Sequence, residues 1–154
     1  MKIRFETDAA LEEDEILLRC RSLDEEAIRL QRKLAGLVGQ GIRLQVTRGD
    51  TDYYLPVDEI LFFETADGQV AVHTADAIYS SGMRLYELED LLPGSFLRGS
   101  KSCILNTARI RSIRKNITGA SDVEFAGSNK KVFVSRNYLK PLLNKLEEKR
   151  IGHE

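Results

Sequence analysis

Apolar and polar residues alternate in short runs along most of the chain, and give way to helical spacing in three places. Residues 2–7, with Ile3 and Phe5, and residues 15–21, with Ile16, Leu17 and Leu18, read as two strands. The next apolar positions, Leu23, Ala27, Leu30, Leu34 and Leu37, are spaced 4, 3, 4 and 3 apart and predict a helix over residues 23–37. Ser22 and Glu25 stand at the spacing of a capping box, and Gly39 and Gly41 supply stop signals. Two heptads fall short of a coiled coil, so the stripe is expected to pack on the two preceding strands, with a dimer contact as a secondary role.

From Ile42 onward short strands dominate. They are predicted at 42–46, 53–55, 60–64, 70–73, 78–80, 96–99, 103–105, 110–116, 122–125 and 131–134. Turn residues separate them: Gly49, Asp67-Gly68, Gly119 and Gly127. One helical interruption carries Leu85, Leu88, Leu91 and Leu92 and ends at Pro93-Gly94, and a last helix over 136–149 carries Tyr138, Leu139, Leu142, Leu143 and Leu146. Strands at this density point to an all-β core rather than alternating βαβ units. No glycine pattern of a dinucleotide or phosphate loop occurs.

The chain has 154 residues, 42% hydrophobic and 31% charged, which suits one domain with a short appendage. No apolar run reaches membrane-spanning length, and the N-terminus alternates charged and apolar residues unlike a signal peptide. Cys20 and Cys103 are too few and too scattered for a zinc module. A soluble cytoplasmic protein without membrane insertion is expected.

Charge sharpens the picture. Residues 41–92 carry three bases against ten acids, a net of −7, whereas residues 93–154 carry thirteen bases against five acids, a net of +8. Between Arg98 and Lys140 only Asp122 and Glu124 oppose ten bases. Either these charges cancel within the fold, or a positive face meets a polyanion.

Catalytic chemistry is poorly supplied. The two histidines are His73 and His153, the latter in a tail expected to fray over residues 150–154. No metal-ligand spacing or nucleophile elbow is present, so no catalytic residue, metal or cofactor is expected. The basic segment instead interleaves Lys and Arg with Ser100, Ser102, Ser112, Ser128, Asn129, Ser135 and Asn137, a mixture suited to phosphates. Its aromatics alternate as core residues do, which favours duplex over single-stranded nucleic acid.

Several motifs, in order, resemble one family. Residues 58–64 (DEILFFE) resemble the "I-x-Y-I-E" opening of LytTR-type DNA-binding domains, and residues 85–89 (LYELE) resemble its "L-K-E-L-E" helix. Residues 96–106 (FLRGSKSCILN) are similar to "F-x-R-x-H-R-S-Y-I-V-N", and residues 134–140 (VSRNYLK) to "V-S-R-x-Y-x-K". The resemblance implies a mainly β fold with α elements: an elongated arrangement of small antiparallel sheets with short helices, here over residues 42–149. A ββα extension over residues 1–41 would precede it. It implies a bacterial transcriptional regulator that binds double-stranded DNA as a homodimer and reads the major groove with β-loops. Carried over by position, Arg136, Lys101 and His73 would contact bases. Ser100, Ser102, Arg114, Lys115, Lys130 and Asn137 would contact phosphates, and Asn106 would make a structural hydrogen bond. Ser100 and Cys103 depart from the family's histidine and tyrosine. The competing reading is a protein-interaction module whose basic face docks an acidic partner.

Overall fold

The computed structural model describes residues 1–37, 42–116 and 118–148. Helix α1 (Glu25–Leu37) is followed by strands β1 (Arg43–Arg48), β2 (Thr51–Pro56), β3 (Phe62–Ala66), β4 (Gln69–His73) and β5 (Ile78–Ser81). Helix α2 (Leu85–Leu91) leads to β6 (Phe96–Ser100) and β7 (Cys103–Asn106). Then come β8 (Ile110–Arg114), β9 (Ser121–Phe125), β10 (Lys131–Val134) and helix α3 (Arg136–Glu148). The strands form a seven-stranded sheet in the order β2-β1-β5-β4-β3-β7-β6 and a three-stranded sheet in the order β10-β9-β8. Every pairing is antiparallel.

The larger sheet is covered on both faces only around β3 and β7, where successive residues point into different cores. Phe63, Val72 and Ile104 pack with Leu85 and Leu88 of α2. Their neighbours Phe62 and Leu105 pack with Val123, Phe125, Val132 and Val134 of the smaller sheet and Leu142 of α3. Hence Ile60, Leu61, Phe62 and Phe63 form an unbroken apolar run that is buried throughout. Asn106 pins the end of β7: its Nδ2 donates to the Ile60 carbonyl at 2.9 Å and its Oδ1 accepts from the Ala108 amide at 3.1 Å. The hydrogen bond expected of this side chain is therefore present, deep in the core.

The residues before α1 differ from expectation. Residues 2–7 and 15–21 form no strand, and Ile3, Phe5, Ile16 and Leu17 are exposed. An isolated two-stranded ribbon is marginal in water, and here no third strand or covering layer rescues the alternating pattern. The extension contains one helix rather than a ββα unit. That helix begins later than the Ser22 box implies: Asp24 accepts the Ala27 amide at 2.8 Å and caps it instead. Without the strands, α1 turns Ala27 and the half-buried Leu30 and Leu34 inward beside α2, and leaves Leu23 exposed. The stop expected at Gly39 and Gly41 and the tail at 150–154 lie outside the described residues.

Candidate nucleic-acid interface

The β6–β7 turn is the most constrained part of the basic segment. A register shift between Arg98 and Ser100 makes a bulge at Gly99. A side chain at Gly99 would meet Leu105 Cδ2 at 2.7 Å and Val134 Cγ2 at 3.4 Å, so the bulge needs a residue without Cβ. Beyond it, Ser100 Oγ accepts the Ser102 amide at 3.2 Å, and Arg98 Nη1 donates to the Lys101 carbonyl at 2.6 Å. Lys101 and Ser102 are exposed at the tip, and Ser100 is half-buried.

Two backbone bonds bring other segments to this turn. The Ser135 amide donates to the Gly99 carbonyl at 2.9 Å, placing the start of α3 beside it. Arg136 and Asn137 are exposed there and line an open depression with Gly119, Ala120 and Ser135. The Thr65 amide donates to the Ser102 carbonyl at 2.9 Å, placing the β3–β4 hairpin on the other side. Its turn residues Asp67 (φ 52°) and Gly68 (φ 77°) both adopt the left-handed conformation that two-residue hairpins require. In the smaller sheet Arg114 pairs with Asp122 and Val134 with Ser121. The end of β8, with exposed Arg114 and Lys115, therefore lies at the same end of that sheet as Arg136.

The remaining two predicted residues lie elsewhere, against each other. His73 is buried at the far end of β4 from the hairpin tip, its ring stacked on Phe62 at 4.1 Å. Its Nε2 lies 2.9 Å from Glu64 Oε1, and its Nδ1 lies 3.3 Å from Lys130 Nζ. The lysine also donates to the Thr74 and Ala77 carbonyls at 3.0 and 3.3 Å. Burial, together with the Lys130 charge, lowers the His73 pKa against the opposing pull of Glu64. Burial likewise lowers that of Lys130. A neutral ring donating from Nε2 to Glu64 and accepting from Lys130 at Nδ1 satisfies all three groups. The pair ties the β9–β10 turn of one sheet to the β4–β5 turn of the other.

Other bases are also internally engaged. Arg98 Nε pairs with Glu89 of α2. Arg109 Nε donates to the Asp58 carbonyl at 2.7 Å. Arg111 and Lys131 both reach Glu124, at 2.9 and 3.5 Å, and their hydrogen bonds hold that carboxyl below its usual range. Part of the charge asymmetry thus cancels within the fold. Among the described residues, Lys101, Arg114, Lys115, Arg136 and Lys140 make no ion pair. Four of these five stand at the turns and helix start described above.

Two side chains near these turns were not singled out from the sequence. Gln69 is exposed beside the hairpin tip, four residues before His73. The Asp67-Gly68 dipeptide already marked the true tip. Arg98 was counted only as one more base of the segment and a motif position, because its partners are a backbone carbonyl and a carboxylate on a helix that the sequence does not place beside it.

These features define a class: an antiparallel β scaffold with unpaired cations gathered on adjacent turns and one helix start. The comparisons make the class specific. The model of the LytTr DNA-binding domain family matches residues 50–147, and the chain belongs to that family. It is a DNA-binding regulator in general terms, from a family of DNA-binding domains rather than enzymes. Its fold is similar to the solved LytTr DNA-binding domain of a Bacillus cereus protein described as a methyl-accepting/DNA response regulator. The TM-score is 0.62 at 23% identity, covering 68% of this chain and 95% of that one. No curated protein matches the chain. Among the described residues no helix is long and apolar enough to cross a membrane.

Proposed function

We propose that this chain is a sequence-specific transcriptional regulator that reads the major groove of duplex DNA with its β-turns. The observation that carries this reading is the convergence of Lys101, Ser102, Arg136 and the β3–β4 hairpin through the Ser135–Gly99 and Thr65–Ser102 backbone bonds. Arg136 and Lys101 contact base edges, where a guanidinium or ammonium meets the guanine acceptors. Gln69, with an amide suited to adenine, takes the hairpin position in place of His73. Ser100, Ser102, Arg114, Lys115 and Asn137 contact phosphates and fix the register. His73 and Lys130 join the two sheets instead of touching DNA. The chain works in the bacterial cytoplasm as a homodimer on neighbouring half-sites, with residues 1–41 as an appendage to the DNA-binding domain at 42–149.

Selection from randomised duplex DNA at near-physiological salt tests this, with Arg136→Ala in parallel. A repeated motif is expected, and the mutant should lose about 1–3 kcal/mol and its preference at one position. Uniform, salt-sensitive binding by both proteins would refute sequence reading and leave a basic docking face.

A further inference from the structure

Lys101 sits on a turn whose backbone is held from both sides. On one side the Ser100 hydroxyl accepts the Ser102 amide. On the other, Arg98 reaches over the bulge to the Lys101 carbonyl at 2.6 Å while its Nε is held by the Glu89 carboxylate. The Arg98 side chain is only 21% exposed. Its charge is already met by Glu89 on α2, an element that otherwise packs in the core opposite the smaller sheet.

We infer that Arg98 is a positioning residue for base reading: anchored by Glu89, it closes the β6–β7 turn and sets the direction in which Lys101 projects. This rests on the proposal that Lys101 touches a base. A planar guanidinium offers donors in a fixed fork and serves two acceptors at once, whereas an ammonium on a flexible stem does not hold both in one geometry. The Ser100 bond holds the same planar Lys101–Ser102 peptide by its N–H, at 3.2 Å, and Arg98 holds it by its carbonyl. Without Arg98 the peptide keeps one of its two anchors, and the Lys101 side chain samples more directions. The groove contact then becomes one among many poses, and discrimination falls while attraction to phosphate persists. Because Glu89 neutralises it, Arg98 adds little to counterion release.

The experiment is site selection and salt-dependent binding by the full chain and five variants: Lys101→Ala, Arg98→Gln, Arg98→Lys, Glu89→Gln and Arg98→Gln/Lys101→Ala. Arg136→Ala serves as the control for the underlying reading. Lys101→Ala is expected to flatten preference at one base position by roughly tenfold, the order of a single side chain–base contact. Arg98→Gln should flatten the same position to a similar extent, and Arg98→Lys should fail to restore it. Glu89→Gln, an exposed change that keeps the fold, should blur it partly. The double variant should match Lys101→Ala alone, and the salt slope of Arg98→Gln should stay at the wild-type value. A generally weakened fold would instead lower affinity for all sequences alike.

The proposal is overturned if Lys101→Ala flattens that position while Arg98→Gln leaves it sharp. It is also overturned if the two losses add, or if Arg98→Gln lowers the salt slope by about one, as loss of a phosphate contact would. If neither Lys101→Ala nor Arg136→Ala alters the selected sequence, the base-reading assignment falls first and the role of Arg98 with it.

Discussion

Gly99 is the point where the core meets the binding turns, and its replacement by alanine is a sharp test of that arrangement. The new Cβ would lie 2.7 Å from Leu105 Cδ2 and 3.4 Å from both Leu105 Cγ and Val134 Cγ2. Leu105 is fully buried between the two sheets, so it cannot swing into open space. Forcing an extra methyl into such a site typically costs about 1–3 kcal/mol. Against this, Gly99 has no left-handed φ, so alanine fits the backbone and gains about 0.5–1 kcal/mol over glycine within a strand. The net expectation is a loss of up to about 2.5 kcal/mol in urea unfolding. A double-mutant cycle with Leu105→Ala isolates the clash. In that background the methyl occupies space vacated by the leucine, and Gly99→Ala should become neutral or stabilising. DNA affinity should follow, because the Gly99 carbonyl accepts the Ser135 amide that seats Arg136. An equal cost in both backgrounds would show that Leu105 is not the obstruction and refute the packing argument.

Two other outcomes are expected. His73 is held neutral by burial, so its contribution to stability is complete above its ordinary pKa of 6.5 and is lost as pH falls below that value. The unfolding free energy should decline there with a slope of at most ~1.4 kcal/mol per pH unit from this proton, and His73→Gln should remove that part of the slope. The thiols should differ in reactivity, since Cys20 is exposed whereas Cys103 is buried and its pKa is pushed up to about 12, chiefly by burial and further by Glu64. A thiol reagent should modify one cysteine per native chain and both in denaturant; rapid modification of both in the native state would contradict the burial of β7.

The β core was legible because its signals are local. Asp67-Gly68 marks a hairpin turn, Pro93-Gly94 ends a helix, and the apolar run over 60–64 reads as a strand. The two strands expected before α1 failed for a reason no local pattern contains. Alternation at Ile3 and Phe5 becomes a strand only where the segment docks on a partner edge under a covering layer, and among the described residues it pairs with no strand and stays exposed. The proposed interface was less readable. Motif position pointed to Arg136 and Lys101, which stand exposed, and also to His73, which is buried at the end of β4 away from the hairpin tip. Lys130 could not be sorted from the other lysines, because its partners lie more than fifty residues away in sequence. Charge sums share this weakness, since the sum over residues 93–154 counts Arg98 without Glu89, which meets it from the preceding segment.

The division between strand interiors and turn tips bears on how such a regulator can change. Cys103, Ile104, Leu105 and Asn106 are all buried, yet Lys101 and Ser102, immediately before them, are exposed and belong to neither apolar cluster. The same boundary falls between Val134, fully buried, and Arg136. Substitutions at exposed tip positions such as Lys101 and Arg136 should therefore cost the fold little, while those one or two residues inward disturb a core. On the proposed reading, single exchanges at a few such exposed positions would change the preferred DNA sequence while stability stays almost constant.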